Sequence, residues 1–540
     1  MKNVLGILSR IGAVLFILVA FVVGCGVKEE LVITPLPILP YVPGPFTFDV
    51  PASQSQWLSN NPTVINGRVV GRTSVQESGT LRLEVRRDYG ASIQIYDKVT
   101  NQPLINFKDL GRESGMSSYA GPRSFADDSP RWKGIGYNPL QAGDDGGNPS
   151  PILFHGYING WIYTKAQCLS WPHQNARQLP LIYEQWVRVD SNKVHVNVRL
   201  THRRPDKTFY GPEAQEWPMM MINGARNVHF YNGSSPYTND LATVTDGIEA
   251  RNSDGTIVPH QGTSFCLTEP WQGVEIGTNQ GQPRLIGLYT AGYFRANYNM
   301  DAIQARDNSE AGNTITYTAN QPMVHLDSDH TWHRSYTYVL GSEQEIRQYV
   351  YAQERQTTPD FVFNKANGRN GWTIMDGGYD QKEPFSTDNW QVTVTGKADN
   401  GPVTGYHTKL ISPFSSWNAR EFRTLYIRMA YTGSTGVGRE APLRLAWLLN
   451  GQADGVYDSQ FPRQNAIRFP RGTRNSIEQS IGFMAINDGQ FHTYKINVAD
   501  NPKWTGIIQQ IEIAHALSPA YVAPGEVITL QYVGTQDPGQ

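Results

Sequence analysis

Between residues 181 and 201, apolar and polar side chains alternate with a period of two on either side of Ser191-Asn192. A strand turns successive side chains to opposite faces, so this pattern commits the segment to two half-buried antiparallel strands. On the first, Val187 and Val189 take one face, and Glu184, Trp186 and Arg188 take the other. On the second, Val194, Val196, Val198 and Leu200 share a face opposite His195, Asn197 and Arg199. A two-residue loop at Ser191-Asn192 then sets Arg188 across from His195, Trp186 across from Asn197 and Glu184 across from Arg199. One face is aliphatic core. The other gathers a carboxylate, two guanidinium groups, an imidazole, an amide and an indole, a surface suited to stacking a sugar ring and meeting its hydroxyls. The alternative is a solvated face whose Glu184–Arg199 ion pair contributes little if exposed.

The rest of the chain has the same character. Among 540 residues, 51 Gly and 34 Pro supply the turns that many short strands require. Long stretches of helical period are missing. The expected class is all-β, with a large antiparallel domain over residues 46–356 and a smaller β-sandwich over 360–537. A helical patch around residues 343–354 ends the first, and Gln356-Thr357-Thr358-Pro359-Asp360 links it to the second. A formal charge of −2 lacks the basic excess of a nucleic-acid binder.

The first residues carry an export signal: Lys2 and Arg10, then an apolar run over 11–23, then Val22-Val23-Gly24-Cys25. This segment resembles a bacterial lipoprotein signal, in which cleavage precedes a Cys that carries the lipid. That resemblance implies a signal peptide over 1–24, lipidation of Cys25 and a membrane anchor. Gly26 in place of Asp favours the outer membrane of the cell envelope. Residues 25–45, rich in Val, Pro and Leu, read as an extended tether. Cys168 and Cys266 are then the only other thiols; an exported chain permits a disulfide between them, and two free buried thiols fit equally well.

Candidate chemistry clusters in polar and aromatic segments of the larger domain. In Gly211-Pro212-Glu213-Ala214-Gln215-Glu216-Trp217-Pro218, two carboxylates three residues apart stand beside an indole. Burial beside Trp217 raises a carboxyl pKa toward that of a general acid, which makes Glu216 the first candidate. Glu184 is second and Glu213 a weaker third. His173, in Ser170-Trp171-Pro172-His173, offers a second proton-transfer route. Asp144, Asp145 and Asn148, in a Gly-rich loop, can ligate a structural Ca²⁺ through oxygen, although their spacing is not that of an EF-hand and a plain polar loop is the simpler reading. His330 and His333 lack the spacing of a zinc motif, so no metal site is expected. Signatures of serine hydrolases, NTPases and dinucleotide binders are missing.

The loop Tyr137-Asn138-Pro139-Leu140-Gln141-Ala142-Gly143, with Glu184-Gln185-Trp186 and Gln215-Glu216-Trp217-Pro218, resembles the galactose-mutarotase-like β-supersandwich over residues 75–342. That fold recurs in sugar epimerases, polysaccharide lyases and glycoside hydrolases, and the likeness implies sugar chemistry without placing any of the family's residues. The smaller domain resembles the jelly-roll modules of bacterial carbohydrate-active enzymes, through Asp488-Gly489-Gln490-Phe491-His492-Thr493-Tyr494 and 504–511. Its Trp372, Trp390, Trp417 and Trp447 serve either as ring platforms or as core, with core favoured.

Together these features lead to an envelope lipoprotein that cleaves or modifies extracellular polysaccharide, as a glycoside hydrolase or polysaccharide lyase. Glu216 is the acid/base, with Trp186 and Trp217 shaping the site. Arg188, Arg199 and His195 contribute polar contacts, the arginines holding an acidic group if the sugar has one. A non-catalytic glycan-binding lipoprotein is the alternative, and a structural envelope protein the third reading.

Overall fold

The hairpin forms with the register that its alternation predicts: Glu184 pairs with Arg199, Trp186 with Asn197, Arg188 with His195, and Asp190 with Lys193 across the loop. The computed structural model describes residues 48–50, 64–65, 68–69, 73–106, 110, 113–205, 213–224, 226–245, 263–302, 314–324, 326, 330–364, 369–375, 379–380, 389–394, 409–433, 439–451, 479–515 and 525–539. The signal segment, the tether and Cys25 lie outside the described residues.

Almost all regular structure is β, and the class is an all-β sandwich. The hairpin sits inside a 15-stranded sheet. Neighbour to neighbour, its middle runs Gln282–Thr290, Thr331–Gly341, Lys193–His202, Gln178–Asp190, Trp161–Ser170, Pro139–Leu140, Ser114–Ser117, Glu216–Asn223, Thr314–Asn320 and Arg295–Ala302. Val194, Val196, Val198 and Leu200 face the main core with Tyr336 and Tyr338 of the next strand. Leu83, Val85, Ile93 and Ile95, from a four-stranded sheet, close the same core. Each such side chain withdrawn from water contributes roughly 1.5–3 kcal/mol. Cys168 and Cys266 are both buried free thiols; burial pushes the Cys168 thiol well up.

From Asp360–Val362 onward, strands join a second, 12-stranded sheet system. Trp372, Trp390, Trp417 and Trp447 are all buried in its core with Ile427, Leu443 and Ile513. None of the four leaves a ring face for a sugar; large apolar fillers are what a sandwich interior needs. The two sheet systems share a packed seam. Ile411, Phe414 and Leu448 of the second belong to the core of the first. Gln509 Nε2 donates to the Leu267 carbonyl at 3.1 Å, and Asn450 Nδ2 to that of Asn232 at 2.8 Å.

The helix Glu343–Tyr351 follows the last strand of the first system. Ser342 and Glu345 form a capping box at its start. Ile346 and Val350 pack on Trp271, Leu285 and Val339. Arg347 reaches under the helix to Glu269, with NH2 to Oε1 at 3.1 Å. Glu269 also accepts from the Tyr237 N–H at 2.7 Å, the Trp271 indole at 2.7 Å and the Tyr351 hydroxyl at 2.8 Å. Both members of this pair are buried, so removing one strands the other. Arg347→Met is expected to cost about 3–5 kcal/mol of unfolding free energy, and Arg347→Met with Glu269→Gln less than the single change. Denaturant titration checks this; a loss below about 1 kcal/mol for Arg347→Met, as exposed pairs show, contradicts the anchoring role.

Candidate functional site

Glu216 opens the strand Glu216–Asn223, which lies between Ser114–Ser117 and Thr314–Asn320. Pro218 has no N–H to give the ladder, and pairing with the Ser114–Ser117 strand is irregular between Glu216 and Met219. Beyond that point the alternation is regular. Met220 and Ile222 enter the main core, whereas Met219 and Met221 pack with Tyr317, Ala319 and Leu140 on the other side. Glu216 bonds to Tyr317 of that second group: the Tyr317 hydroxyl donates to Glu216 Oε1 at 2.6 Å. Ser117 adds a second hydrogen bond to the carboxylate. Asn138 Nδ2 holds the Ser117 hydroxyl at 3.1 Å, tying in the loop before Pro139–Leu140.

Glu216 and Tyr119 are both half-buried, and the Glu216 charge reaches the Tyr119 phenol. Burial raises the Glu216 pKa above the usual carboxylate value, against the pull of the Tyr317 and Ser117 hydrogen bonds. Tyr119 and Tyr317 are pushed well up, first by burial and then by the neighbouring Glu216 charge. Glu213 also acts on Tyr119, so both carboxylates of the Glu213–Glu216 segment bear on one phenol. A carboxyl whose pKa is raised by burial and whose orientation is fixed by a phenol is a candidate proton donor.

Trp171 packs against the same Tyr317–Met219 cluster. Its ring centroid lies 4.7 Å from that of Trp132. Both indoles are half-buried, and among the described residues neither ring N–H has a partner. Sequence reasoning missed this pair and Tyr317. For the indoles the available signal was two Trp beside Pro, in Pro130-Arg131-Trp132 and Trp171-Pro172, within turn-rich segments. Tyr317 had no local signal, because it lies 101 residues from its partner.

The remaining candidates sit elsewhere and are already engaged. Trp217 is 0% exposed, its indole donating to Ser118 Oγ at 2.9 Å, and it fills core. Trp186 is 1% exposed. It is boxed in by Phe48 at 5.2 Å and Tyr163 at 5.0 Å, and its indole donates to the Asp49 carbonyl at 2.7 Å. Neither ring offers a platform, contrary to the sequence reading, because distant chain covers both. Glu184 accepts from Arg199 Nε at 2.6 Å, Arg199 NH2 at 2.7 Å and the Tyr163 hydroxyl at 2.7 Å. Burial disfavours its charge, but Arg199 and Tyr163 outweigh that and lower its pKa, so it stays ionised. Arg188 lies over Trp161 at 4.6 Å. His195 meets Thr337 Oγ1 at 3.2 Å and is pushed down to about 4, first by burial and then by Arg188.

His173 joins Ser170 Oγ at 2.7 Å to Asp128 Oδ1 at 2.9 Å, with Arg177 NH1 at 3.0 Å. The serine of this trio is fully buried and the aspartate exposed, the reverse of what a nucleophile needs. In the Gly-rich loop, Asp144 accepts from the Asn148 N–H, Asn148 Nδ2 and the Ala176 N–H, and Asp145 from Arg131 and Gln174. Their oxygens are committed to N–H donors. Among the described residues no group of three or more His, Cys, Asp or Glu is arranged to hold a metal ion.

No protein-family model matches the chain, and no curated protein matches it. Among solved structures it is similar to a putative aldose 1-epimerase from Escherichia coli K12, at 11% identity and a TM-score of 0.30, over 50% of this chain and 99% of that one. It is also similar to a galactose mutarotase-like protein from Lactobacillus casei, at 12% identity and a TM-score of 0.28, over 50% and 99%. A GH36 alpha-galactosidase from Geobacillus stearothermophilus matches at 8% identity and a TM-score of 0.26, over 50% of this chain and 40% of that one. At these values the likeness gives no residue of this chain a role.

The Tyr317 bond favours the charged form of Glu216. Tyr317→Phe is therefore expected to move the Glu216 pKa further up, seen as a displaced carboxyl titration by carbon NMR. An unchanged or lowered titration contradicts the Tyr317–Glu216 bond.

Proposed function

We propose that this is a lipid-anchored envelope protein whose large β unit acts on extracellular polysaccharide, with Glu216 as the acid/base. The observation that carries the proposal is the Glu216 carboxyl, its pKa raised by burial and its orientation set by Tyr317 and Ser117. Sugar-bond cleavage needs a proton delivered to a leaving oxygen, and elimination or epimerisation needs one moved at carbon; a positioned carboxyl of raised pKa does either. Tyr119 stands beside it. The half-exposed Trp132–Trp171 pair, in the same cluster as Tyr317, supplies an aromatic surface on which a pyranose ring stacks. The anchor rests on Val22-Val23-Gly24-Cys25 after a basic start and an apolar run.

Non-catalytic glycan capture is the second reading. It is favoured by one fact: among the described residues no second carboxylate is seen hydrogen-bonded to Glu216 or Tyr317, whereas most glycosidases use two.

The test compares wild type with Glu216→Gln on neutral, uronic and sulfated polysaccharides, following binding and released products. Product from wild type, reduced about 10²–10⁴-fold in Glu216→Gln, is expected. Equal product from both sinks the assignment, and binding without product from either establishes capture. Cys25→Ala is expected to move the protein from the detergent phase to the aqueous phase; unchanged partitioning contradicts the anchor.

A further inference from the structure

Buried or half-buried arginines in this protein commonly meet carboxylates. Arg199 is paired with Glu184, Arg284 with Asp97 and Arg347 with Glu269. Arg334 is not. It lies in the strand Thr331–Gly341, paired with Val198, on the face shared by Trp332 and Tyr336. Its guanidinium sits 5.3 Å from the Trp217 ring centroid and 5.7 Å from that of Tyr293. Its one backbone hydrogen bond runs from NH1 to the His333 carbonyl at 2.7 Å. The Nε is buried without an acceptor, and among the described residues Arg334 makes no ion pair.

The surroundings sharpen this asymmetry. Tyr293 is half-buried, and the Arg334 charge and a hydrogen bond from Arg334 act on its phenol. His330 is pushed down to about 3, first by burial and then by the Arg369, Arg334 and His333 charges. A guanidinium near two rings gains from their faces, and the Arg334 Nε has no acceptor among the described residues. A planar or tetrahedral oxyanion is the group that matches such a fork.

We propose that Arg334, flanked by Tyr293, is an oxyanion-binding group, taking the carboxylate or sulfate of an acidic sugar. The sugar part of this assignment rests on the polysaccharide reading above; the oxyanion part does not. It moves the expected acidic-group contact away from Arg188 and Arg199. Arg199 is already neutralised by Glu184.

The experiment is titration calorimetry on the full-length protein in detergent. The probes are a galacturonic acid trisaccharide, the corresponding uncharged galactose trisaccharide and inorganic sulfate. Wild type and Glu216→Gln are expected to bind the acidic trisaccharide about tenfold or more tighter than the neutral one. Arg334→Met is expected to erase that preference, and Arg334→Lys, which keeps the charge and loses the fork, to retain part of it. If Arg334→Met does not fold, Arg334→Lys carries the comparison. Sulfate binding that depends on Arg334, with neither trisaccharide bound, supports the oxyanion site while removing the sugar reading. Acidic and neutral probes bound alike, or anion binding indifferent to both Arg334 variants, overturns the proposal.

Discussion

A strand cannot send neighbouring side chains to the same face, and the central sheet is organised by that constraint. Along Glu216–Asn223, Met220 and Ile222 are drawn into the main core while Met219 and Met221 are turned to Tyr317 and Ala319. Along Lys193–His202, the valines enter the same core and His195, Asn197 and Arg199 are turned away. Each polar group therefore has its position fixed by the apolar residues beside it. A one-residue slip would exchange the two sets along a whole strand, so the site at Glu216 is only as well defined as the core behind it.

Two glutamates on this sheet show how environment divides one chemistry into two. Glu184 is buried, but a bidentate guanidinium and a phenol meet its oxygens, so it remains a carboxylate and serves as a structural tie. Glu216 is also enclosed, and hydroxyl groups rather than a guanidinium meet it among the described residues, so burial dominates and its pKa is raised. The difference is the presence of a cation, since hydrogen bonds from hydroxyls offset only part of the desolvation cost. Arg334 presents the converse case: a cation with no carboxylate, accommodated by rings. These two unneutralised groups are where the sheet has polar capacity left for a ligand.

The hairpin register was legible because it depends on residues a few positions apart and on a two-residue loop. The all-β class followed from turn residues and missing helical period. Burial was harder to read. Trp186 is covered by Phe48 and Asp49, 137 residues earlier in the case of Asp49, and no local pattern announces that contact. Glu216 was identified from its neighbour Trp217, yet that ring turns into the core, and the groups that bear on the carboxyl are Tyr317 and Ser117 from other strands. Arg334 carried no signal at all, because its distinction is the lack of a carboxylate partner.

The most direct test of Glu216 as the reacting group is a crystal structure of the protein soaked with whichever oligosaccharide the binding panel selects. A sugar oxygen is expected within hydrogen-bond reach of Glu216, about 2.6–3.2 Å, with the chain extending toward Trp132 and Trp171. A ligand seated instead on the hairpin's polar face near Arg188, or on the second sheet system with no contact to Glu216, would contradict that role.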